Sequence, residues 1–126
     1  MENLKIEATK YTPLIDFDAS AGTINVIGKS YPENTFEFYR PIITWVEAYF
    51  EQTSHETTYV NFDLEYLNSS SLKAYFDLFD ILEAVKAKGA NLEIKWIFDE
   101  DNDIAEETGE DFIADFEGLN IELVVK

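Results

Sequence analysis

The sequence predicts an α/β domain built on a mixed sheet of four to five strands, with the helices mainly on one face. Three observations lead there. Segments with apolar residues at every second position alternate along the chain with segments where they recur every third or fourth. At 126 residues the chain suits one domain, here taken as 1–126, with a substantial core. The strand-like segments alternate apolar with polar residues, whereas a sheet covered on both faces would show nearly continuous apolar runs.

The elements follow in order. Thr12 to Phe17 and Gly22 to Gly28 read as short strands joined by the turn-like Ala19-Ser20-Ala21. Glu33 to Phe50 carries Phe36, Tyr39, Ile42, Ile43, Val46, Tyr49 and Phe50 at helical spacing. Pro32 suits a first turn, whereas Pro41 should kink that helix or mark a second start. Thr57 to Leu64 reads as a strand with Val60, Phe62 and Leu64 on one face. Ser71 to Lys88 reads as a helix with Leu72, Phe76, Phe79, Leu82 and Val85 in one stripe, closed by Gly89 as a left-handed cap. Asn91 to Phe98 alternates cleanly, Asp103 to Asp115 is a weaker helix, and Leu119 to Val125 closes the chain as a strand with Leu119, Ile121, Leu123 and Val125 inward. Strands interleaved with helices imply crossover connections and a largely parallel or mixed sheet. Most aromatics, among them Phe36 and Trp45, are expected in the core. Tyr66 and Tyr75 are the ones expected to be exposed for docking.

Composition narrows the function. With 26 acidic and 9 basic residues the net charge is −17, which repels nucleic acid and anionic lipid and favours basic protein partners. No apolar run is long enough to span a membrane, and Met1-Glu2-Asn3-Leu4-Lys5 lacks the pattern of a signal peptide. A cytoplasmic location is expected. There is no cysteine, so disulfides, thiolate metal sites and a Cys nucleophile are excluded. The one histidine, His55, lies in a polar stretch and is expected to be an exposed loop residue rather than a catalytic base. No Gly-rich phosphate loop is present, and no cofactor is expected. Asp99, Asp101, Asp103 and Glu110 fit positions of a calcium-loop template, but Ile104 stands where that loop needs Gly. An acidic, solvated loop is the better reading. Enzyme chemistry has no residue set to support it.

The segment with chemical promise is Tyr66-Leu67-Asn68-Ser69-Ser70-Ser71-Leu72-Lys73-Ala74, where a strand hands over to a helix. The first N–H groups of a helix lack intrahelical partners and carry partial positive charge. A Ser or Asn oxygen caps such an end, and a phosphate there is well received. The pattern alone allows a plain cap or a reversible phospho-acceptor. A second segment, Tyr31-Pro32-Glu33-Asn34, reads as another helix start, or as a loop beside the serine turn that helps form a partner surface.

The serine segment and the longer run Gly28-Lys29-Ser30-Tyr31-Pro32-Glu33-Asn34, with Thr12-Pro13, Phe38-Tyr39 and Ile43-Thr44-Trp45-Val46, carry a resemblance. The chain resembles the SiaC-like family of bacterial regulatory phosphoproteins, which are similar in fold to the STAS domain of anti-sigma factor antagonists. The resemblance covers nearly the whole chain. It implies a phosphorylation-controlled protein-binding switch without enzymatic activity of its own. A serine/threonine kinase and a phosphatase would act on one hydroxyl, and the dephosphorylated form would bind and regulate a target such as a diguanylate cyclase. The implied phospho-acceptor is Ser69, and the implied partner surface comprises Tyr31, Pro32, Glu33, Asn34, Tyr66, Asn68, Ser70 and Ser71. Asn68 and Ser71 stand where the antagonists have Asp and Gly, so an anti-sigma partner does not follow. The alternative is a non-phosphorylated STAS-like scaffold or small-ligand-binding module.

Overall fold

The computed structural model describes residues 1–126. Its elements are β1 (Leu4–Ile6), β2 (Leu14–Asp18), β3 (Thr23–Ser30), α1 (Thr35–Gln52), β4 (Thr58–Leu67), α2 (Ser69–Ala87), β5 (Leu92–Phe98), α3 (Asp103–Asp115) and β6 (Ile121–Val125). They form one six-stranded sheet in which every strand lies beside its neighbour in sequence, β1-β2-β3-β4-β5-β6. β1, β2 and β3 pair antiparallel, and β3, β4, β5 and β6 pair parallel. The sheet is mixed, as expected, with six strands instead of four or five. The additional one is β1, whose three residues are too few for alternation to show.

Each parallel step crosses over through a helix, and all three crossovers step the same way across the sheet. Since such crossovers are right-handed, their helices fall on one face. The packing agrees. Phe17 of β2 meets Trp45 of α1 at 5.1 Å between ring centroids, Phe62 of β4 meets Phe79 of α2 at 5.2 Å, and Trp96 of β5 meets Phe112 of α3 at 5.3 Å. Asp16, Asn25, Asn61, Glu93 and Lys95 point to the other face and stay at least partly exposed. The alternation in the strands thus records a sheet buried on one side. The 26 buried apolar residues form a single cluster, so there is one core. α3 approaches the sheet so closely that a Cβ at Gly109 would lie 2.5 Å from Trp96 Cδ1.

Helix ends follow local chemistry. Asn34, Asn68 and Asn102, evenly spaced along the chain, are the N-caps, and each side-chain oxygen accepts from the backbone N–H three residues on. At the other end of α2, Gly89 takes φ +111. Its N–H donates to Lys86 O, and the Ala90 N–H donates to Val85 O. That pair of bonds is the left-handed closure expected of Gly89.

Several expectations need correction. α2 begins at Ser69, two residues earlier than read, because Asn68 supplies the cap. α1 begins at Thr35 and continues through Pro41 without a second start. Pro41 and Glu37 are both exposed, so the carbonyl deprived of an N–H partner is within reach of water. Phe36, expected in the core, is 74% exposed, and Tyr75, expected at the surface, is fully buried. Tyr75 lies on the α2 stripe that faces the sheet and packs edge-on against Phe62. Val125, expected inward, is 58% exposed at the end of the outermost strand. His55 is half-buried instead of exposed. It stacks on Tyr49 at 5.9 Å and its Nε2 lies 2.6 Å from the carbonyl oxygen of Ala19. In the acidic stretch, α3 already begins at Asp103, so Asp103 to Glu110 is helical and does not form the calcium-loop shape.

Candidate functional site

Parallel strands share a C-terminal edge, and the helix that follows each strand begins there. β3 and β4 are adjacent, so α1 and α2 start side by side. The register places Ser30 opposite Leu67, and the Asn68 N–H donates to the Ser30 carbonyl at 3.0 Å. Just before this, the pairing jumps between Gly28 and Lys29, from Leu64 to Tyr66, leaving Glu65 as the extra residue of a bulge. Bulges bend a strand and re-aim its side chains. This one falls immediately before the two helix starts.

The three serines of the turn have three different environments. Ser71 is fully buried. Its backbone N–H donates to the Asn68 Oδ1 cap at 2.9 Å, and its hydroxyl lies 2.7 Å from Ser30 Oγ. Ser70 is exposed. Its hydroxyl lies 2.8 Å from Thr35 Oγ1 at the start of α1 and 3.3 Å from Asn68 Oδ1. Ser69 is exposed at the first position of α2, and none of the side-chain bonds of the turn uses its hydroxyl. Ser71, expected on the partner surface, instead lies beneath it.

Below the turn runs a chain of buried hydroxyls. Ser30 Oγ bonds both Ser71 Oγ and the Tyr39 hydroxyl, and Tyr39 donates to the Tyr75 hydroxyl at 3.1 Å. Burial pushes the phenol of Tyr39 above its ordinary value, partly offset by its bonds to Ser30, Tyr75 and Ser71. The Tyr75 phenol is pushed well above, first by burial and then by the neighbouring Tyr39. Both phenols are neutral near pH 7 and serve as hydrogen-bonding groups. No buried side-chain polar atom in the protein lacks a partner, so the network is complete.

Beside the turn, Tyr31 packs edge-on between Tyr11 at 5.3 Å and Tyr66 at 5.8 Å. Tyr11 and Tyr66 are each about half exposed, at 51% and 50%. Tyr31 and Pro32 are half-buried, Glu33 and Asn34 exposed, and Asn68 half-buried. The structure therefore gathers Tyr31, Pro32, Glu33, Asn34, Tyr66, Asn68, Ser69 and Ser70 at one sheet edge. Tyr11, Thr35, Ser30 and Tyr39 join them without having been picked out as site residues. Ser30 and Tyr39 both stand in the segments that carry the resemblance, but spacing alone gave no reason to bring Ser30 under Ser71.

The arrangement offers a free hydroxyl at a positive helix end, framed by half-exposed aromatics. No base stands near Ser69 in any of the hydrogen bonds of the turn, and His55 is engaged with Ala19 instead. No helix of the chain is long and apolar enough to cross a membrane.

Residues 6–126 match the SiaC family regulatory phosphoprotein model. Over 115 residues the chain is 36% identical to the uncharacterized protein PA14_02130 of Pseudomonas aeruginosa strain UCBPP-PA14, covering 91% of this chain and 90% of that protein. SiaC of Pseudomonas aeruginosa superposes with a TM-score of 0.87 at 32% identity, over 100% of this chain and 98% of that one. A chain from the crystal structure of the diguanylate cyclase SiaD in complex with its activator SiaC, from the same species, superposes with a TM-score of 0.91 at 32% identity, over 98% of this chain and 99% of that one. Sequence and structure together make this chain a member of the SiaC family of regulatory phosphoproteins.

Proposed function

We propose that the chain is a protein-binding switch thrown by phosphorylation of Ser69, and that its unmodified form binds and regulates a diguanylate cyclase. A serine/threonine kinase and a phosphatase set the state. The chain itself performs no chemistry; it is a substrate of the one pair and a ligand of the other partner. Such a cycle draws on ATP and so belongs in the cytoplasm.

The observation that carries the reading is the contrast among the serines. Ser69 presents an uncommitted, exposed hydroxyl, Ser70 is tied to Thr35, and Ser71 is buried. Family membership supplies the phosphoprotein context, and the SiaD–SiaC complex supplies the class of partner.

The physics favours a surface switch. A phosphoserine carries roughly −1.5 to −2 charge and three strong acceptor oxygens. At the first position of α2 that charge meets the positive end of the helix, so the modification supports the fold instead of melting it. What changes is the docking surface, which gains charge and bulk at the start of α2. A partner packed there has to desolvate the phosphate. A penalty of about 3 kcal/mol weakens binding by roughly two orders of magnitude.

The test is intact-mass analysis after incubation with a cognate kinase, followed by calorimetry with the cyclase at one fixed salt concentration. One phosphate is expected on the wild type and none on Ser69→Ala. Ser69→Ala keeps partner binding, and Ser69→Asp weakens it only partly, having less charge and fewer acceptor oxygens than a phosphate. Phosphate on Ser70 instead, or equal affinity of the modified and unmodified chains, would overturn the proposal.

A further inference from the structure

The two edges of the sheet differ. At one, β1 has three residues with Lys5 in the middle. A very short edge strand carrying a lysine is one of the usual ways to keep other chains from pairing with it. At the other, β6 has five residues, Ile121-Glu122-Leu123-Val124-Val125, and no strand lies beyond it. It contains no proline, and its pairing with β5 runs without a bulge. All its residues but Glu122 are apolar, and Val125 is 58% exposed.

The backbone of β6 is half used. Along a strand, successive residues turn their N–H and C=O groups to opposite sides. The Lys126 N–H donates to the Phe98 carbonyl, so Lys126, Val124 and Glu122 face β5. Leu123 and Val125 therefore turn their N–H and C=O groups outward, away from the sheet. Side chains alternate in step. Glu122, Val124 and Lys126 lie on the face without helices, where Val124 stands beside Ile97 and Lys126 holds Asp63 at 2.9 Å.

We infer that two copies of this chain pair β6 against β6, antiparallel about a two-fold axis at Val124, so that their sheets join edge to edge. With Val124 opposite its own copy, Leu123 lies opposite Val125 of the other copy, and their outward N–H and C=O groups complete the ladder. Glu122 lies opposite Lys126 of the other copy, and the symmetry repeats this pair. Opposite charges across a ladder stabilise it and like charges destabilise it. An axis at Glu122 would set the two glutamates against each other, and an axis at Leu123 would set each Glu122 against a valine. The charges thus select the axis at Val124, which also covers the exposed Val125. The contact uses the same patch on both copies, so it closes at two. Each chain carries a net charge of −17, but at physiological ionic strength that repulsion is screened beyond about 8 Å. The ion pairs across the ladder lie within that distance. The strip is narrow beside the roughly 1,200–2,000 Å² of a stable interface, so the dimer is weak and reversible. It stands apart from the proposed switch, whose turn lies at the ends of β3 and β4.

Sedimentation velocity of the full chain at physiological ionic strength, in a concentration series up to the millimolar range, tests the pair. The wild type is expected to pass from monomer to dimer. Val125→Pro removes an outward N–H and leaves the bonds to β5 in place. Glu122→Lys sets a lysine against Lys126 of the other copy. Each is expected to weaken the dimer at least tenfold, with circular dichroism unchanged. The chain has no cysteine, so a single one reports the register. Opposed residues at a non-hydrogen-bonded position stand about 4.5 Å apart at Cα, within disulfide reach. Val124→Cys is expected to give a disulfide-linked dimer on mild oxidation. Asp16→Cys, on the same face near the other edge, is expected to stay monomeric under the same conditions. A wild type that remains monomeric throughout the series would overturn the pair and leave the edge to a strand of another protein. A dimer that survives both Val125→Pro and Glu122→Lys would lie elsewhere and overturn it. Cross-linking of Asp16→Cys to the extent of Val124→Cys, or growth beyond the dimer, would overturn it as well.

Discussion

Ser30 and Ser71 lie 41 residues apart in the chain, yet their hydroxyls are 2.7 Å apart in the interior. One ends β3 and the other sits in the first turn of α2. Their contact joins two βα units directly beneath the serine turn, and Tyr39 and Tyr75 extend it between the helices. Removing one hydroxyl leaves its buried partner one hydrogen bond short. Ser30→Ala and Ser71→Ala should each cost about 1–3 kcal/mol. The double variant should cost less than the sum of the two, because the stranded group goes as well. Urea unfolding of the four chains measures this. Strict additivity would show that the two hydroxyls act independently.

The capping role can be separated from the switch. Asn68 Oδ1 accepts the Ser71 N–H, while the Ser69 hydroxyl has no such task. Asn68→Ala should cost about 0.5–2 kcal/mol, as for a lost cap. Ser69→Ala should leave the melting transition near that of the wild type. A cap-sized loss in Ser69→Ala and none in Asn68→Ala would reverse the roles.

Phe79 anchors the middle of α2. It is fully buried and packs against Phe62 at 5.2 Å, Phe112 at 4.5 Å and Phe116 at 5.5 Å. Phe79→Ala should cost about 3–5 kcal/mol, because the three rings around it restrict collapse into the cavity. A urea midpoint equal to that of the wild type would mean the cluster contributes little.

The buried phenols predict a limit at alkaline pH. Tyr39 and Tyr75 both have folded values raised above the ordinary 10.0, chiefly by burial. Their protonated forms are favoured in the folded chain, so above the ordinary value the unfolded chain binds fewer protons and gains relative stability. The contribution is complete below about pH 10 and is lost as pH rises beyond it. Stability should therefore decline in that range, and a late tyrosinate absorbance should appear together with loss of circular dichroism. In Tyr75→Phe that late step should shrink. Ionisation of both phenols before unfolding would contradict the assignment.

Much of this fold was legible because its main periods are simple. Leu92, Ile94, Trp96 and Phe98 alternate over a strand buried on one face, and every one of them is buried. The helix stripe through Phe79 and Leu82 was equally plain. β1 was hidden by its shortness, and the start of α2 by a run of serines without apolar spacing before Leu72. Phe36 and Tyr75 exchanged their expected environments because residue type does not fix which way a helix is rolled against its sheet. Of the site, the serine turn could be read locally, since caps are local chemistry. The links of Ser70 to Thr35 and of Ser71 to Ser30 could not, because they depend on which strands become neighbours.

The strand order has a further consequence, in how the protein is made. Every strand pairs with the one synthesised just before it, so no strand has to wedge between two that are already joined. The sheet can be laid down rib by rib as the chain emerges from the ribosome, each βα unit docking on the edge left by the last. Folds whose central strands come late in the sequence must hold an edge open, and exposed edges invite aggregation. In this chain the growing edge is always the newest strand, and the serine turn stands complete once the second of its two helices has been made.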